Sequence, residues 1–513
     1  MTFDLTKELL RGLPIYENGK ISPNLYDAGG GFYDDRPLPK VGESVFPRRF
    51  MGDEPKPIPR EFFDMFVQRS SVRGEKVSVE ETENGMKAIV ERKHEEITIN
   101  WHNNETMEMV YSKVFERKTF PDKKTFMRTV TETSAEAFEA YIDKLCKIGF
   151  EKVFENRIES NIYYQLQQNE RLIYAYYMAN TATARFIDDI ASMKVADFGY
   201  TYEKKEENFP AVIQYALYHS PDHRVDGVRS DCGMFYIIKL ADNSVVLIDG
   251  AAMEECTEAA TAEVMRLMRE LTGVPEGEKI RVAAWFCTHA HGDHIELFSK
   301  LVRFYNEELE VERLFYNFTS PDVFAAMGPS YNLMERVKKY YPNVKYLKCH
   351  NGQSFELGGV KFDILQTHED GTGAEGNEVI GGFNDTSTIL QITFDGLKFM
   401  VLGDMDNSAE AIMVKNYSPA TLKSDIVQTA HHLMNNLEQM YPAISPEIAL
   451  VPQHPVFKVD HNKYKYETLC RSVKEENIYF DTLGTVGFRA KNGKPEKFLH
   501  NPMVGGEYDG SEV

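Results

Sequence analysis

The sequence predicts an α/β protein: a layered core over the C-terminal half, with a small α+β region ahead of it. Two observations predict this. Beyond about residue 205, apolar strand segments alternate with amphipathic helices, and two strand-rich blocks interleaved with helices build a layered architecture. Before that point, short strand segments surround a single strongly amphipathic helix, the pattern of one helix on an antiparallel sheet.

The elements follow in chain order. Residues 1–60 are rich in Gly and Pro, with Gly29-Gly30-Gly31 and Pro55, Pro57 and Pro59. They read as an extended arm lying over something else, or as partly disordered chain. An accessory α+β domain is expected over 61–205. Its strand candidates are Met86–Arg92, Glu96–Trp101, Met107–Phe115, Phe126–Thr131, Asn161–Leu166, Leu172–Tyr177 and Ala184–Asp188. Phe138, Tyr141, Ile142, Leu145 and Ile148 share one helical face, and Gly149 stands where a C-terminal cap belongs. Tyr163, Tyr164, Tyr174, Tyr176 and Tyr177 are read as packing on a sheet face.

A layered α/β domain is expected over 206–495. Phe235–Leu240 and Ser244–Asp249 form a hairpin around Ala241-Asp242-Asn243. Helices over Ala259–Leu271, Ile295–Tyr305 and Leu333–Tyr341 then alternate with strands over Val282–Thr288 and Leu314–Tyr316. Thr388–Phe394 and Leu397–Leu402 flank Asp395-Gly396, a strong hairpin signal. The tail 496–513 is polar, Gly-rich and expected to fray.

Composition narrows the function. The 513 residues are 42% hydrophobic and 27% charged, a globular balance. The formal net charge of -21 repels nucleic acid and anionic membrane surfaces, and speaks against a dedicated DNA-binding role. The six cysteines are scattered without a CxxC pair, as in a reduced cytosolic protein. No basic leader and no membrane-length apolar segment is present, so a cytoplasmic location and no membrane partner are expected.

The chemistry concentrates at Thr288-His289-Ala290-His291-Gly292-Asp293-His294, where an apolar strand runs into three His and one Asp within six positions. Imidazole and carboxylate suit zinc, and also manganese or iron. On a strand-to-helix turn, His289 and His291 can serve one metal while Asp293 and His294 serve a second, with Gly292 allowing the tight backbone. A solvated loop with chance histidines is the alternative; only 14 His in the chain make it a poor one.

This motif resembles that of the metallo-β-lactamase-like hydrolases. Val245-Val246-Leu247-Ile248-Asp249-Gly250 is similar to the family's strand ending in Asp-Gly. Phe399-Met400-Val401-Leu402-Gly403-Asp404 resembles the strand delivering the bridging aspartate, and Asp425–His432 the strand carrying the last histidine ligand. Among subgroups, the resemblance is to the hydrolase domain of bacterial DNA-uptake competence channel proteins. Asn384-Asp385-Thr386-Ser387, Gly403-Asp404, His431-His432, Asn462-Lys463-Tyr464 and Thr482-Leu483-Gly484-Thr485 match its order, over about 228–492. It implies a four-layer αββα sandwich and a metal site of His289, His291, Asp293, His294, Asp404 and His431, with zinc first and manganese or iron as alternatives.

Strand neighbours face opposite ways; the family match picks His431 as the ligand and leaves His432 on the substrate side. Hairpin geometry brings Asp404 opposite Thr386–Ser387 and Asp385 near Asp404, so Asp385 is either a metal contact or a turn residue. His368 is the candidate for the third histidine that many family members give the first metal; an ordinary loop histidine is its other reading. Where the competence-type pattern continues with Gly-His-Pro, this chain has Lys465-Tyr466-Glu467. His454, His461 and Tyr464 are then the other substrate-side candidates.

The implied activity is hydrolysis by a hydroxide generated between two cations, with Asp293 orienting it and passing its proton to the leaving group. The expected partner is a small molecule with a phosphodiester, lactone or thioester bond, and the N-terminal domain is a candidate dimerisation surface. A non-catalytic metal-binding scaffold and a di-iron oxidoreductase are the rival readings.

Overall fold

The computed structural model describes residues 5–29, 41–42, 44–45, 58–72, 76–91, 95–114, 125–189, 193–202, 208–217, 224–225, 228–229, 233–251, 258–319, 337, 340–376, 381–453, 455–458 and 463–502. Two compact units emerge: Tyr33–Pro121, and Met1–Phe32 together with Asp122–Val513.

In the smaller unit, helix Arg60–Val72 accompanies a five-stranded antiparallel sheet in the order Ser44–Val45, Thr106–Val114, Glu95–His102, Gly85–Glu91, Lys76–Thr82. Phe63 from the helix and Ala88, Val90, Ile97 and Ile99 from alternate strand positions form its core. Trp101 Nε1 donates to Ile58 O at 2.8 Å.

The larger unit is built on two mixed sheets packed face to face. One holds Ala211–Gln214, Phe235–Lys239, Val245–Asp249, Ile280–Phe286, Arg313–Tyr316 and Lys345–Lys348, with the late hairpin Gly484–Lys491/Lys494–Pro502 completing one edge. The other runs Ser354–Leu357, Val360–Gln366, Ile389–Phe394, Leu397–Val401, Ile426–Gln428, Ile448–Val451, Ile478–Phe480. Between them lies one apolar layer, in which Tyr236, Ile248 and Phe286 of the first sheet meet Phe362, Ile392 and Phe399 of the second. Strand Val245–Asp249 is apolar up to its last residue because it is covered on both faces: Val246 and Ile248 point between the sheets, Val245 and Leu247 toward the helices. Helices Glu258–Thr272 and Gly292–Phe304 cover the outside of the first sheet, and Asn407–Asn416 and Met440–Ile444 the outside of the second. This is the four-layer αββα sandwich that the resemblance implies.

A third sheet belongs to the same unit. Its order is Lys20–Ile21, Phe126–Thr131, Thr183–Asp188, Arg171–Met178, Asn161–Gln168, Glu151–Ile158. Helix Ala135–Lys147, capped by Ser134 Oγ accepting from Ala137 N at 3.2 Å, lays Phe138, Tyr141, Ile142 and Leu145 on one face. Tyr164 and Tyr177 join that face; Tyr163, Tyr174 and Tyr176 turn to the other and pack with Met400, Val427 and Ala449 of the sandwich. Their hydroxyls end on Tyr417 Oη at 2.9 Å, Asn351 O at 2.8 Å and Asp370 Oδ1 at 3.0 Å, a polar tip on an apolar body.

Contact boundaries therefore fall at 32/33 and 121/122, where the sequence reading placed them at 60/61 and 205/206. Phe126–Asp188 shares a core with the sandwich, and a pattern of residues along one chain carries no signal for that. Strands Lys76–Thr82 and Glu151–Ile158 and helix Arg60–Val72 also escaped the reading; the first is mostly exposed and polar. The helix expected over 333–341 lies mostly outside the described residues. Among the described residues, no helix is long and apolar enough to cross a membrane.

Candidate metal centre

The motif sits where the sequence reading put it. Strand Ile280–Phe286 ends, residues 287–291 cross the sandwich edge, and helix Gly292–Phe304 begins with His291 at its N-cap and Asp293 in its first turn. Asp249, at the end of the parallel neighbouring strand, fixes this loop. Its Oδ1 accepts from Thr288 N and its Oδ2 from Thr288 Oγ1, both at 2.7 Å. Gly250 is required beside it: a Cβ there would lie 2.7 Å from Phe298 Cβ.

The hairpin Ile389–Phe394/Leu397–Val401 turns through Asp395 (φ 44°) and Gly396 (φ 85°), the left-handed pair of a tight two-residue turn. It delivers Asp404, whose N–H donates to Ser387 Oγ at 3.0 Å. Gly403 takes φ 54°, and a Cβ would meet Ser387 Cβ at 2.8 Å and Thr288 Cβ at 3.1 Å.

Two groups of ligand atoms result, each within 4.8 Å of one another: Asp293, His294, Asp404 and His432, and His289, His291 and Asp404. Asp404 belongs to both. Its Oδ1 is 3.1 Å from His294 Nε2 and 3.6 Å from His432 Nε2, and its Oδ2 is 3.6 Å from His289 Nε2. His432 Nε2 lies 3.4 Å from Asp293 Oδ2, and His289 Nε2 is 3.0 Å from His291 Nδ1. At Zn–N distances of ~2.0–2.1 Å, two nitrogens on one tetrahedral ion stand about 3.3 Å apart, so these spacings suit shared cations.

The rings are preset for this. His294 Nδ1 faces Asp249 Oδ2 at 2.5 Å, His432 Nδ1 faces Pro452 O at 3.2 Å, and His289 Nδ1 faces Thr288 Oγ1 at 3.1 Å and Ser387 Oγ at 3.3 Å. Each bond engages the far nitrogen and leaves Nε2 turned toward Asp404. His294 Nε2, His432 Nε2 and Asp404 Oδ1 are buried and lack a hydrogen-bond partner among the described residues. Three orphaned polar atoms converging at one buried point are costly unless a cation joins them. The donor set therefore fits two divalent metal ions.

Electrostatics agree. Burial, aided by His294, holds His289 well below the ordinary imidazole range, so the ring stays neutral as a ligand must. Burial also opposes charge on His294, but Asp404, Asp249 and Asp293 outweigh it and hold that ring well above its ordinary value; the three carboxylates draw a positive charge to this point, a proton that a bound cation would replace. Burial would raise Asp404, yet His294, His432 and His289 keep its carboxyl well below the usual range. Asp293 is lowered likewise, by His294 and His432 against burial.

Several expectations change. His432, not His431, enters the ligand groups. Strand Ile426–Gln428 has ended, and both histidines take left-handed backbone (φ 46° and 50°), so strand alternation does not govern them. His431 is partly exposed, with Nε2 3.9 Å from Asp404 Oδ2 and 3.0 Å from Asn384 Nδ2. His368 is placed away from both groups: Nδ1 meets Tyr26 Oη at 2.8 Å and Nε2 meets Asn317 Oδ1 at 2.9 Å, deep in a buried polar network. Burial drops its pKa to about 3.

Asp385 faces the start of helix Asn407–Asn416, accepting from Asp406 N at 2.9 Å, Ala409 N at 3.1 Å and Ser408 Oγ at 2.5 Å. Its carboxylate answers the positive end of that helix and belongs to neither ligand group. Tyr464 is 53% exposed on helix Lys463–Cys470 and belongs to neither group. His454 and His461 lie outside the described residues. Asp249 went unassigned in the sequence reading, although a carboxylate closing a wholly apolar strand was the signal for it.

A cleft of about 550 Å³ opens beside the first group, lined by His291, Phe383, Asn384, Asp385, Asp406 and Ser408 among others. That is the size of a small-molecule site.

No family model and no curated protein matches the chain. Solved structures do. A metallo-β-lactamase mutant from Cronobacter sakazakii is 18% identical, with 39% of this chain and 73% of that chain covered and a TM-score of 0.22. CmlA, a diiron β-hydroxylase from Streptomyces venezuelae, is 11% identical over 66% of this chain and 75% of that one, with a TM-score of 0.32. A flavo di-iron protein mutant from Thermotoga maritima is 14% identical over 53% and 62%, with a TM-score of 0.26. The chain has a four-layer αββα sandwich with two candidate metal-ligand groups that share Asp404 at its strand ends.

Proposed function

We propose that the chain is a metal-dependent hydrolase that uses two divalent cations to cleave a small phosphodiester, lactone or thioester substrate. The convergence of buried, unpartnered His294 Nε2, His432 Nε2 and Asp404 Oδ1 supports this reading most directly. His289, His291 and Asp404 would hold one ion, and Asp293, His294, His432 and Asp404 the other. Bound there, the cations supply Lewis acidity for activating water and polarising the scissile group.

The chain's own residues do the rest. Asp404 spans both groups with its two oxygens and fixes their separation. Asp249 orients His294. Asp293, ionised and 30% exposed, is the carboxylate with access to solvent; it is placed to orient water and to take up a proton at Oδ2. His431, 22% exposed beside Asp404, faces the same open side and can contact substrate.

A phosphodiester fits the resemblance to the competence-type motif order, and a lactone or thioester fits the wider metallo-β-lactamase-like resemblance equally well. The net charge of -21 favours a small substrate over a nucleic-acid polymer. Zinc is the first choice of metal for an imidazole-rich set, and a cytoplasmic setting accords with unpaired Cys146, Cys287, Cys349 and Cys470. The test is a panel of phosphodiester, lactone and thioester substrates with the metal-loaded full chain, beside Asp404→Ala. Turnover of one class, lost in the variant, is expected. No hydrolysis of any class, with metal-dependent oxygen consumption instead, would replace the hydrolase by an oxidoreductase.

A further inference from the structure

The two ligand groups are unequal. The second offers three residues beside Asp404, of which His294 and His432 are fully buried, and is braced by Asp249 and Pro452 O. Among the described residues, the first offers only His289 and His291 beside Asp404 as His, Cys, Asp or Glu donors. The residues expected to complete it are engaged elsewhere: both nitrogens of His368 are taken by Tyr26 and Asn317, and Asp385 accepts from the helix at Asn407–Asn416.

One side chain at that place is not fully engaged. Asn384 opens the turn Asn384–Thr386, three positions before Ser387, which itself bonds His289 Nδ1 and Asp404 N. Its Nδ2 is 3.0 Å from His431 Nε2, the nitrogen that lies 3.9 Å from Asp404 Oδ2. Its Oδ1 is buried and has no hydrogen-bond partner among the described residues. Asn384 also lines the same cleft as His291. A buried amide oxygen without a donor costs free energy, and the cheapest relief beside two imidazoles and a carboxylate is a cation.

We propose, on the two-metal reading above, that Asn384 Oδ1 is the fourth protein ligand of the first ion, alongside His289, His291 and Asp404, and that this ion is the weaker-bound and exchangeable one. A neutral amide oxygen donates less strongly to zinc than imidazole does and is at home with harder cations such as manganese. The first site then discriminates less between zinc and manganese than the imidazole-richer second site.

The experiment is titration of the metal-stripped full chain with zinc alone and manganese alone, in competition with a chromophoric chelator. The unmodified chain is expected to bind two zinc equivalents in two steps, the second at least about tenfold weaker. Asn384→Leu is expected to weaken that second step by about tenfold or more and leave the first unchanged. Asn384→His is expected to tighten the second step for zinc by about tenfold and to narrow its acceptance of manganese. If Asn384→Leu does not fold, Asn384→His and Asn384→Asp carry the test, since each supplies a stronger donor and must tighten the weak step. Unchanged titrations in these variants, or two equal steps in the unmodified chain, overturn the assignment of Asn384 while leaving two metals in place. Binding of neither metal overturns the two-metal reading and this assignment with it.

Discussion

His431 and His432 adjoin in sequence, yet the structure gives them different work. His432 is fully buried, with Nδ1 on Pro452 O and Nε2 facing Asp293 and Asp404, whereas His431 sits at the open side against Asn384. His432→Ala is therefore expected to lose the tighter metal equivalent, and His431→Ala to retain it; elemental analysis of both variants after exhaustive dialysis checks this. Asp249 acts one step removed. Its carboxylate holds His294 Nδ1 at 2.5 Å and two groups of Thr288 besides, so Asp249→Asn is expected to weaken metal binding by about 10–100-fold with the fold intact. Chelator competition together with circular dichroism separates that from unfolding. The residues that local spacing alone brings together, His289, His291, Asp293 and His294, are all placed by the structure in the two candidate ligand groups. His368 and Asp385 were misplaced because their partners are remote: Tyr26 stands 342 positions from His368, and Asp385 is claimed by amides beyond Asp404.

At the scale of elements, the site depends on strand ends held in register. Strand Ile280–Phe286 presents the motif, and the Asp395-Gly396 hairpin presents Asp404 across from Ser387, as the turn chemistry dictates. Gly403 is the narrow point between them. Gly403→Ala forces a side chain into left-handed backbone and against Ser387 and Thr288, so a loss of more than ~1 kcal/mol is expected in urea unfolding, with metal affinity falling alongside. An unchanged unfolding midpoint would show that the loop relaxes freely. The hairpin was readable because two-residue turns have a strict residue code. The turn at His431-His432 was not, since a left-handed pair of histidines has no such signature.

Across the whole of the larger unit, the third sheet and the sandwich are tied by buried polar groups that the sequence pattern did not disclose. His350 lies between Glu369 and Asp189, both at 2.9 Å, and stacks on Tyr174 at 4.8 Å. Burial opposes its charge, but Glu369 and Asp189 outweigh burial and push its pKa up to about 9. An unfolded imidazole titrates near ~6.5, so the stability this ring adds is fully present below that pH and is lost as pH rises through about 9. Urea unfolding at about pH 6 and about pH 10 is expected to show the loss, and His350→Gln to flatten it. An equal slope in the variant would place the effect elsewhere. Such a network is invisible to periodicity because its members, Asp189, His350 and Glu369, each look like a loop residue in their own segment.

The residue and element scales meet in the proposal that the strand ends hold two divalent cations. Metal quantitation of the full chain purified without added metal, beside Asp404→Ala, tests it most directly. Two equivalents of transition metal per chain when saturated, falling to one or none in Asp404→Ala with the fold retained, is the expected result. A folded chain that takes up no transition metal, or an Asp404→Ala variant that binds as the unmodified chain does, would contradict it.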